Sequence, residues 1–342
     1  MRIWITNGLA SAALAAGALL GVYAAGPALG SGPVREIAVA AKPVPLSTAD
    51  AAADRVGRLR FLGALVLESP DKRFGGLSDL LWEPRCQRFL SVSDTGNWAI
   101  LEPEEQGERL TGLKAAWLAP LLDEKGAPPA SKTAADAESL ARTADGDIWV
   151  FYEQHHRAER YHGVSACEPA SLALPAKERR LFPGTEGWPA NGGMEATAAR
   201  GQSFIILAES VPAADGGRQG LEAGDGPVPR LFRWTPPEGH EPTGMDLFEG
   251  ADGKTHMLVV HRRFSPFTGV SAAISEAVID EPIASHVAGQ EIARLAPPLT
   301  VDNMEGIAIR SEGGRRYVYL LSDDNFNRLQ RTILMKFELL PE

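Results

Sequence analysis

The 342-residue sequence has few cysteines and no excess of positive charge. Its two cysteines, Cys86 and Cys167, are too few for a disulfide framework or a cysteine zinc site, and they could form one bridge or stay two buried thiols. Lys and Arg number 34 against 44 Asp and Glu, which gives a net charge of −10. A nucleic acid partner is therefore not expected, and a cation is the better candidate.

The common sequence motifs of catalytic sites are also missing. There is no P-loop, no Gly-x-Gly-x-x-Gly fingerprint, no His-Glu-x-x-His helix and no thiol phosphatase motif. The segment from Gly163 to Cys167 approaches a serine hydrolase elbow but lacks its last glycine. The hydrolytic chemistry left open is metal-assisted, in which a cation polarises the substrate and orients the attacking water.

The N-terminal residues have the composition of a targeting segment. Residues 3–25 carry no formal charge and follow Arg2, which predicts a signal peptide over residues 1–25. The run is also long enough to be an uncleaved membrane anchor. Residues 26–56, rich in Pro and Ala, are predicted to be a linker, and residues 57–342 a single domain. We expect a periplasmic or secreted protein or, alternatively, one anchored to the inner membrane by this segment alone.

A five-fold repeat runs through the rest of the chain. Five short segments share an apolar context around one polar residue, and the spacings between these residues are 60, 57, 48 and 62. Predicted turns and β-rich stretches follow, such as Asp145-Gly146 before residues 148–152 and Gly313-Gly314 before residues 317–320. The repeated polar residues are Ser78, Glu138, Glu195, Thr243 and Glu305.

A second polar position follows each of the first set by 14 to 20 residues. If each repeat is an antiparallel hairpin, both sets lie at the same end of the sheet. Repeats of about 57 residues suit four-stranded propeller blades, so the sequence predicts an all-β fold, a β-propeller of five blades, with six as the alternative. The second set consists of Asp94, Glu153, Glu209, the run 261–263, and Asp323 with Asp324.

Glutamates that converge on a propeller axis repel one another unless they hold protons or surround a cation. An isolated glutamate most often caps a turn or faces solvent, but five aligned positions in apolar context favour a shared site. Oxygen ligands of the carboxylate and hydroxyl type favour calcium over zinc or copper. We therefore predict a central Ca²⁺ held, directly or through water, by Ser78, Glu138, Glu195, Thr243 and Glu305.

The second set is predicted to do the chemistry. Asp94, Glu153, Glu209 and Asp323 would position water or act as general base. Arg262 and Arg263, with Asp324 nearby, are the predicted substrate-binding residues, because a guanidinium group suits a phosphate or a carboxylate. In the alternative interpretation one arginine faces solvent and the other pairs with an acid of a neighbouring blade.

The one-per-blade pattern resembles that of the calcium-activated nucleotidases, or apyrases, whose five-bladed propeller holds one central Ca²⁺. A second resemblance covers nearly the whole predicted domain and is carried by residues 74–78, 91–96, 136–141, 191–195, 262–266, 302–306 and 322–326. In these segments the chain more closely resembles the bacterial "esterase-like activity of phytase" family, and this resemblance implies a phosphoesterase-like role.

The sequence thus favours an exported calcium-dependent hydrolase of phosphate or related esters, with a small-molecule ester or phosphorylated substrate as its partner. Two alternatives stay open. The propeller could be a non-catalytic binding module with a structural ion, or a calcium-dependent lactonase or carboxylesterase, and fold alone does not decide between them.

Overall fold

A computed structural model describes residues 29–224 and 226–341. The predicted leader over residues 1–25 lies outside these described residues. Among the residues that the structure describes, no helix is long and apolar enough to cross a membrane.

The described chain is almost entirely strand and turn. Its first strands are β1 (Arg35–Ile37), β2 (Ala40–Pro43), β3 (Arg55–Val56), β4 (Leu59–Glu68), β5 (Leu77–Glu83), β6 (Arg88–Ser93), β7 (Asn97–Gln106) and β8 (Arg109–Pro120). The short helix α1 (Lys132–Ala135) precedes β9 (Ala137–Arg142), β10 (Ile148–Tyr152), β11 (Arg157–Tyr161), a 3₁₀ helix (Pro169–Ala173) and β12 (Glu178–Leu181).

The remaining strands continue the same order. They are β13 (Met194–Arg200), β14 (Ser203–Pro212), β15 (Arg218–Ala223), β16 (Arg230–Thr235), β17 (Glu241–Glu249), β18 (Thr255–Ser265), β19 (Gly269–Ile279), β20 (His286–Ala288), β21 (Gln290–Leu295), β22 (Asn303–Glu312), β23 (Arg315–Asp323) and β24 (Thr332–Leu339).

These strands form five antiparallel blades around one axis, which confirms the predicted five-bladed propeller. From the axis outward, blade 1 is β5-β6-β7-β8, blade 2 is β9-β10-β11-β12, blade 3 is β13-β14-β15-β16, blade 4 is β17-β18-β19-β21, and blade 5 is β22-β23-β24-β4. The predicted hairpin turns are present: Gly146, Gly313 and Gly314 adopt positive φ angles between their strands, which glycine accepts without steric cost.

The two ends of the described chain meet in blade 5. Strand β4, near the N-terminus, pairs along its length with β24, the last strand. Residues of the predicted linker also pair with the propeller, because β1 extends blade 1 beside β8 and β2 extends blade 5 beside β4.

The hydrophobic core is divided among the interfaces between neighbouring blades. Each of five clusters of buried side chains joins residues from two adjacent blades. Tryptophans lie at several of them: the rings of Trp98 and Tyr161 are 5.0 Å apart between blades 1 and 2, and Trp149 lies 5.2 Å from Phe204 between blades 2 and 3. Large aromatic side chains supply much of the apolar area that such sheet interfaces bury.

Candidate metal and active site

Each of the five predicted metal ligands is the extra residue of a β-bulge at the start of an innermost strand. In every blade the pairing register between the first and second strands skips this residue. A bulge leaves one residue out of the ladder and redirects its side chain. The five skipped residues are Ser78, Glu138, Glu195, Thr243 and Glu305.

The second predicted set lies just outside these bulges at equivalent positions. The amide of Asp94 donates to the carbonyl of Gly76 at 2.9 Å, and the amide of Glu153 donates to the carbonyl of Asp136 at 3.0 Å. The remaining blades follow the same geometry, with pairs Glu209 with Gly193, Arg262 with Glu241, and Asp323 with Asn303. The second strands therefore end beside the bulges, as the hairpin argument predicted.

Within the described residues, blades 1, 2, 3 and 5 together place nine mutually interacting carboxyl groups at one end of the channel. Neighbouring carboxyl groups repel one another electrostatically: Glu138 interacts with Glu153, Glu195 with Glu209, and Asp323 with Asp94. We call these nine groups the acidic ring; they are Asp94, Asp136, Glu138, Glu153, Glu195, Glu209, Glu305, Asp323 and Asp324.

Burial and mutual repulsion raise the pKa values of several of these acids. Burial is the main cause for Glu195, whose pKa lies well above its ordinary value, and nearby Glu209 and Glu138 add to the shift. Burial also raises the pKa of Glu305 to about 7, against the opposing effect of Arg262. Such shifts mean that the site favours either protons or an added positive charge.

Three of the acids are arranged as a group that could hold a metal ion. One carboxylate oxygen from each of Asp136, Glu138 and Glu153 lies within 4.8 Å of the others. Asp136 and Glu153 are buried and Glu138 is partly buried. An all-oxygen donor set of three carboxylates suits Ca²⁺, which takes six to eight oxygen ligands, so the residues present fit the predicted ion.

The other predicted ligands differ in what their oxygens already contact. The buried Thr243 hydroxyl donates to the carbonyl of Met304 at 2.8 Å, and the Ser78 hydroxyl donates to the carbonyl of Gly76 at 3.3 Å. Asn303 donates to Oε1 of Glu305 at 2.7 Å. These groups retain lone pairs for water, but each is oriented by the protein itself.

A lysine enters the acidic ring from the side. The Lys132 ammonium, on α1, donates to Oδ2 of Asp94 at 2.6 Å and to Oδ1 of Asp136 at 2.7 Å. It therefore links an acid of blade 1 to an acid of the candidate metal group. Oδ1 of Asp94 is buried and has no hydrogen-bond partner.

The two predicted substrate-binding arginines have different environments. Arg262 donates to Oε1 of Glu209 at 2.6 Å and to Oδ1 of Asn303 at 2.8 Å, and its Nη1 lies 3.3 Å from Oε1 of Glu305. It thus pairs with acids of blades 3 and 5. Arg263 is exposed. This is the arrangement of the alternative interpretation, with one arginine paired and the other facing solvent.

The third predicted substrate-binding residue, Asp324, hydrogen-bonds to backbone amides of two blades. Its Oδ1 accepts from the amides of Gly76 and Phe326 at 3.0 and 3.1 Å. Asp324 therefore connects blade 5 to the start of blade 1 beside Asp94, and its carboxylate is partly committed to backbone contacts.

Sequence reasoning did not identify Lys132, Asp136 or Asn303 as site residues. A signal was available for two of them, because the position two residues before the bulge is polar in three repeats, as Asp136, Glu241 and Asn303. No comparable repeat marks Lys132, which lies on a four-residue helix between blades.

Comparisons with known proteins give a match to one family and to several propeller structures. A family model described as "Phytase-like: Esterase-like activity of phytase" matches residues 72–326, which is more than half of the chain. No curated protein matches this chain significantly.

Solved structures that resemble this chain do so at low identity. A glucose dehydrogenase has 12% identity and a TM-score of 0.38, with 89% of this chain and 99% of that chain covered. The PQQ-bound aldose sugar dehydrogenase from Streptomyces coelicolor has 13% identity and a TM-score of 0.42, covering 78% and 94%. Virginiamycin B lyase from Staphylococcus aureus has 9% identity and a TM-score of 0.39, covering 81% and 99%. At these values the similarities carry no argument about function.

Proposed function

This chain belongs to the phytase-like family, which is described as "Esterase-like activity of phytase", and we propose that it is a calcium-dependent hydrolase of phosphate or related esters. The observation that carries the proposal is the ring itself. Five bulges direct oxygen-bearing side chains to one end of the channel, and the carboxylates there outnumber the cations that contact them.

Asp136, Glu138 and Glu153 would hold the calcium ion, with the remaining bulge residues supplying further oxygens directly or through water. A bound calcium ion would polarise the ester oxygen and offset the negative charge that develops in the transition state. Glu153 is already oriented for such a role, because its Oε1 accepts from the amide of Gly193.

Asp94 is the best placed general base. Its Oδ2 is held by Lys132, while its buried Oδ1 has no hydrogen-bond partner, so this oxygen would be the one to accept a proton from a water bound beside it. Burial raises the pKa of Asp94 in spite of the lysine, which brings a carboxylate closer to the strength that a base needs near neutral pH.

Lys132 and Arg262 supply positive charge on two sides of the ring. Arg262 is held by Glu209 and Asn303, so its guanidinium would contribute a fixed field rather than a mobile contact. A preoriented charge stabilises a developing anion without reorganisation during the reaction. From the predicted leader, we further propose that the protein acts in the periplasm or outside the cell, where calcium is available.

A substrate panel tests this proposal. Nitrophenyl phosphate, bis-nitrophenyl phosphate and nitrophenyl acetate are assayed with calcium and with EDTA. Calcium-dependent turnover of the phosphates is the expected result. Turnover of the acetate alone would favour a carboxylesterase or lactonase. If no ester is hydrolysed while calcium still raises the melting temperature, the domain is a binding module and the hydrolase proposal fails.

A further inference from the structure

A pocket lies beside the acidic ring at the end of blade 4. Its volume is about 320 Å³, and Arg262, Arg263, Phe264, Val270 and Asn303 contribute to its wall. Arg262 and Asn303 contact acids of the ring, Glu209 and Glu305, so the pocket shares a wall with the candidate active site. A group bound there would lie next to an ester held over the ring.

The pocket offers one cation that no described residue neutralises. Arg263 is exposed, and its side chain makes no ion pair or hydrogen bond with any of residues 29–224 and 226–341. Its guanidinium nevertheless lies close to the backbone, because a Cβ built on Gly239 would stand 3.3 Å from Cζ of Arg263. The charge is thus both available to a ligand and placed by its surroundings.

The same pocket has an apolar wall. Phe264 and Val270 are cross-strand partners at the end of the β18–β19 hairpin, and both line the pocket. Phe264 is 65% exposed, although an aromatic side chain at the end of a strand usually packs against a neighbour. An aromatic or aliphatic ligand group would cover it.

The other charged groups of the pocket are already paired. Arg262 is bound by Glu209 and Asn303, and Glu241 by Arg218. The pocket therefore presents to a ligand one free guanidinium beside an apolar surface, a combination that recognises an apolar or aromatic body with a negative charge.

We propose that this pocket binds the organic part of the substrate and that it selects esters whose organic group is aromatic or apolar and carries a second anionic substituent. The inference deepens the proposed function and rests on it, because the reacting ester is placed at the acidic ring. Arg263 would contact the second anion, and Phe264 would contact the ring or chain that bears it.

The test measures binding of three phosphonates, which the protein cannot hydrolyse as esters. Methylphosphonate, phenylphosphonate and 4-phosphonobenzoate are titrated calorimetrically into the full chain with excess calcium. The wild-type protein should bind phenylphosphonate more tightly than methylphosphonate, and 4-phosphonobenzoate about fivefold more tightly again, since a partly exposed ion pair contributes roughly 1 kcal/mol.

Matched variants assign these differences to the pocket. Arg263→Gln should abolish the preference for 4-phosphonobenzoate, whereas Arg328→Gln, a change at another exposed arginine, should leave it intact. Phe264→Ala should abolish the preference for the phenyl group. Phe267→Ala, on the same hairpin and 97% exposed but outside the pocket wall, should not. Circular dichroism of each variant checks that it is folded.

The pocket and the hydrolase proposals fail in different ways. Equal wild-type affinities for phenylphosphonate and 4-phosphonobenzoate, no binding of any probe, or a preference that survives Arg263→Gln would overturn the pocket. If the binding pattern is found but neither 4-carboxyphenyl phosphate nor any ester of the substrate panel is hydrolysed, the ligand preference of the pocket stands and the hydrolase fails. If the wild type hydrolyses this ester and Arg263→Gln has an unchanged KM, the hydrolase stands and the pocket fails.

Discussion

The ammonium group of Lys132 lies 2.6 Å from Oδ2 of Asp94 and also contacts Asp136, so one tethered cation lies between two blades of the acidic ring. The lysine precedes blade 2, and Asp94 directly follows the second strand of blade 1. It offsets part of the negative charge whether or not calcium is bound.

Removing this cation should make the protein more dependent on calcium. For Lys132→Met we expect a melting temperature in EDTA that is a few degrees lower, because two carboxylates lose their partner; the effect is limited since the lysine side chain is 49% exposed. The rise in melting temperature on adding calcium should be larger than in the wild type. Lys125→Met, at an exposed lysine, is the control, and an unchanged calcium response in Lys132→Met would contradict the prediction.

Neutralising a proposed ligand should have the opposite effect. Glu138→Gln removes one of three clustered carboxylates, so the calcium-free protein should be at least as stable as the wild type while its response to calcium is lost. At 100 times the Kd, bound calcium stabilises by about 2.7 kcal/mol. Differential scanning fluorimetry with calcium and EDTA measures both effects. Glu124→Gln, the same change at an exposed acid, should respond like the wild type.

Gly76 should tolerate no side chain. Its φ is +61°, and an added Cβ would stand 2.1 Å from Oδ1 of Asp94 and 2.6 Å from the ring of Phe326. Gly107 has the same φ of +61° with nothing within 4 Å. In urea unfolding, Gly107→Ala should cost about 1 kcal/mol from backbone strain alone. Gly76→Ala should cost clearly more and should also weaken calcium-dependent turnover; equal costs would show that Asp94 and Phe326 move aside freely.

His261 should make the protein less stable in mild acid. It is fully buried, accepts from Nε1 of Trp234 at 3.1 Å, and burial lowers its pKa to about 3. The unfolded chain binds a proton near pH 6.5 and the folded protein does not, so stability is lost as pH falls below 6.5. The loss approaches about 1.4 kcal/mol per pH unit. Urea unfolding from pH 7.5 to 4.5 should show a shallower decline for His261→Gln than for the wild type.

The Cys86–Cys167 disulfide should stabilise the fold without affecting the site. The bridge closes a separation of 81 residues and joins the β5–β6 turn of blade 1 to the segment after β11 of blade 2, at the end of the blades away from the acidic ring. The double variant Cys86→Ala/Cys167→Ala should lose about 4.5 kcal/mol by loop entropy. Its melting temperature should still rise with calcium by the wild-type amount, and loss of that response would show that the bridge supports the ring.

Hairpin turns and polar residues recur at near-constant spacing, and this recurrence predicted the blade number and the common end of the blades at which both polar sets lie. The roles of these residues as ligands and bases stay predictions. The bulges could not be predicted. A strand is recognised by alternation of buried and exposed residues, and a bulge interrupts alternation at one residue without leaving a composition signal. The bulges redirect Glu138 and Glu305, so the directions in which these carboxylates point depend on the bulges.

Contacts between side chains of different blades could not be predicted from the sequence either. Whether Arg262 reaches a substrate or an acid depends on the distance to blades 3 and 5, and the structure places Glu209 within 2.6 Å of it. The two cysteines illustrate the same limit, since nothing in their spacing decided between a bridge and free thiols, whereas the fold brings their sulfurs together.

The pairing of β4 with β24 affects the order in which the ring can be completed during synthesis. Strand β4 leaves the ribosome early, and its partner begins only at Thr332. At about 5–20 residues per second, the edge of β4 waits on the order of tens of seconds before its neighbour exists. The nascent chain must therefore keep an unpaired strand edge from pairing elsewhere until translation is almost finished, a period in which a chaperone would be most useful.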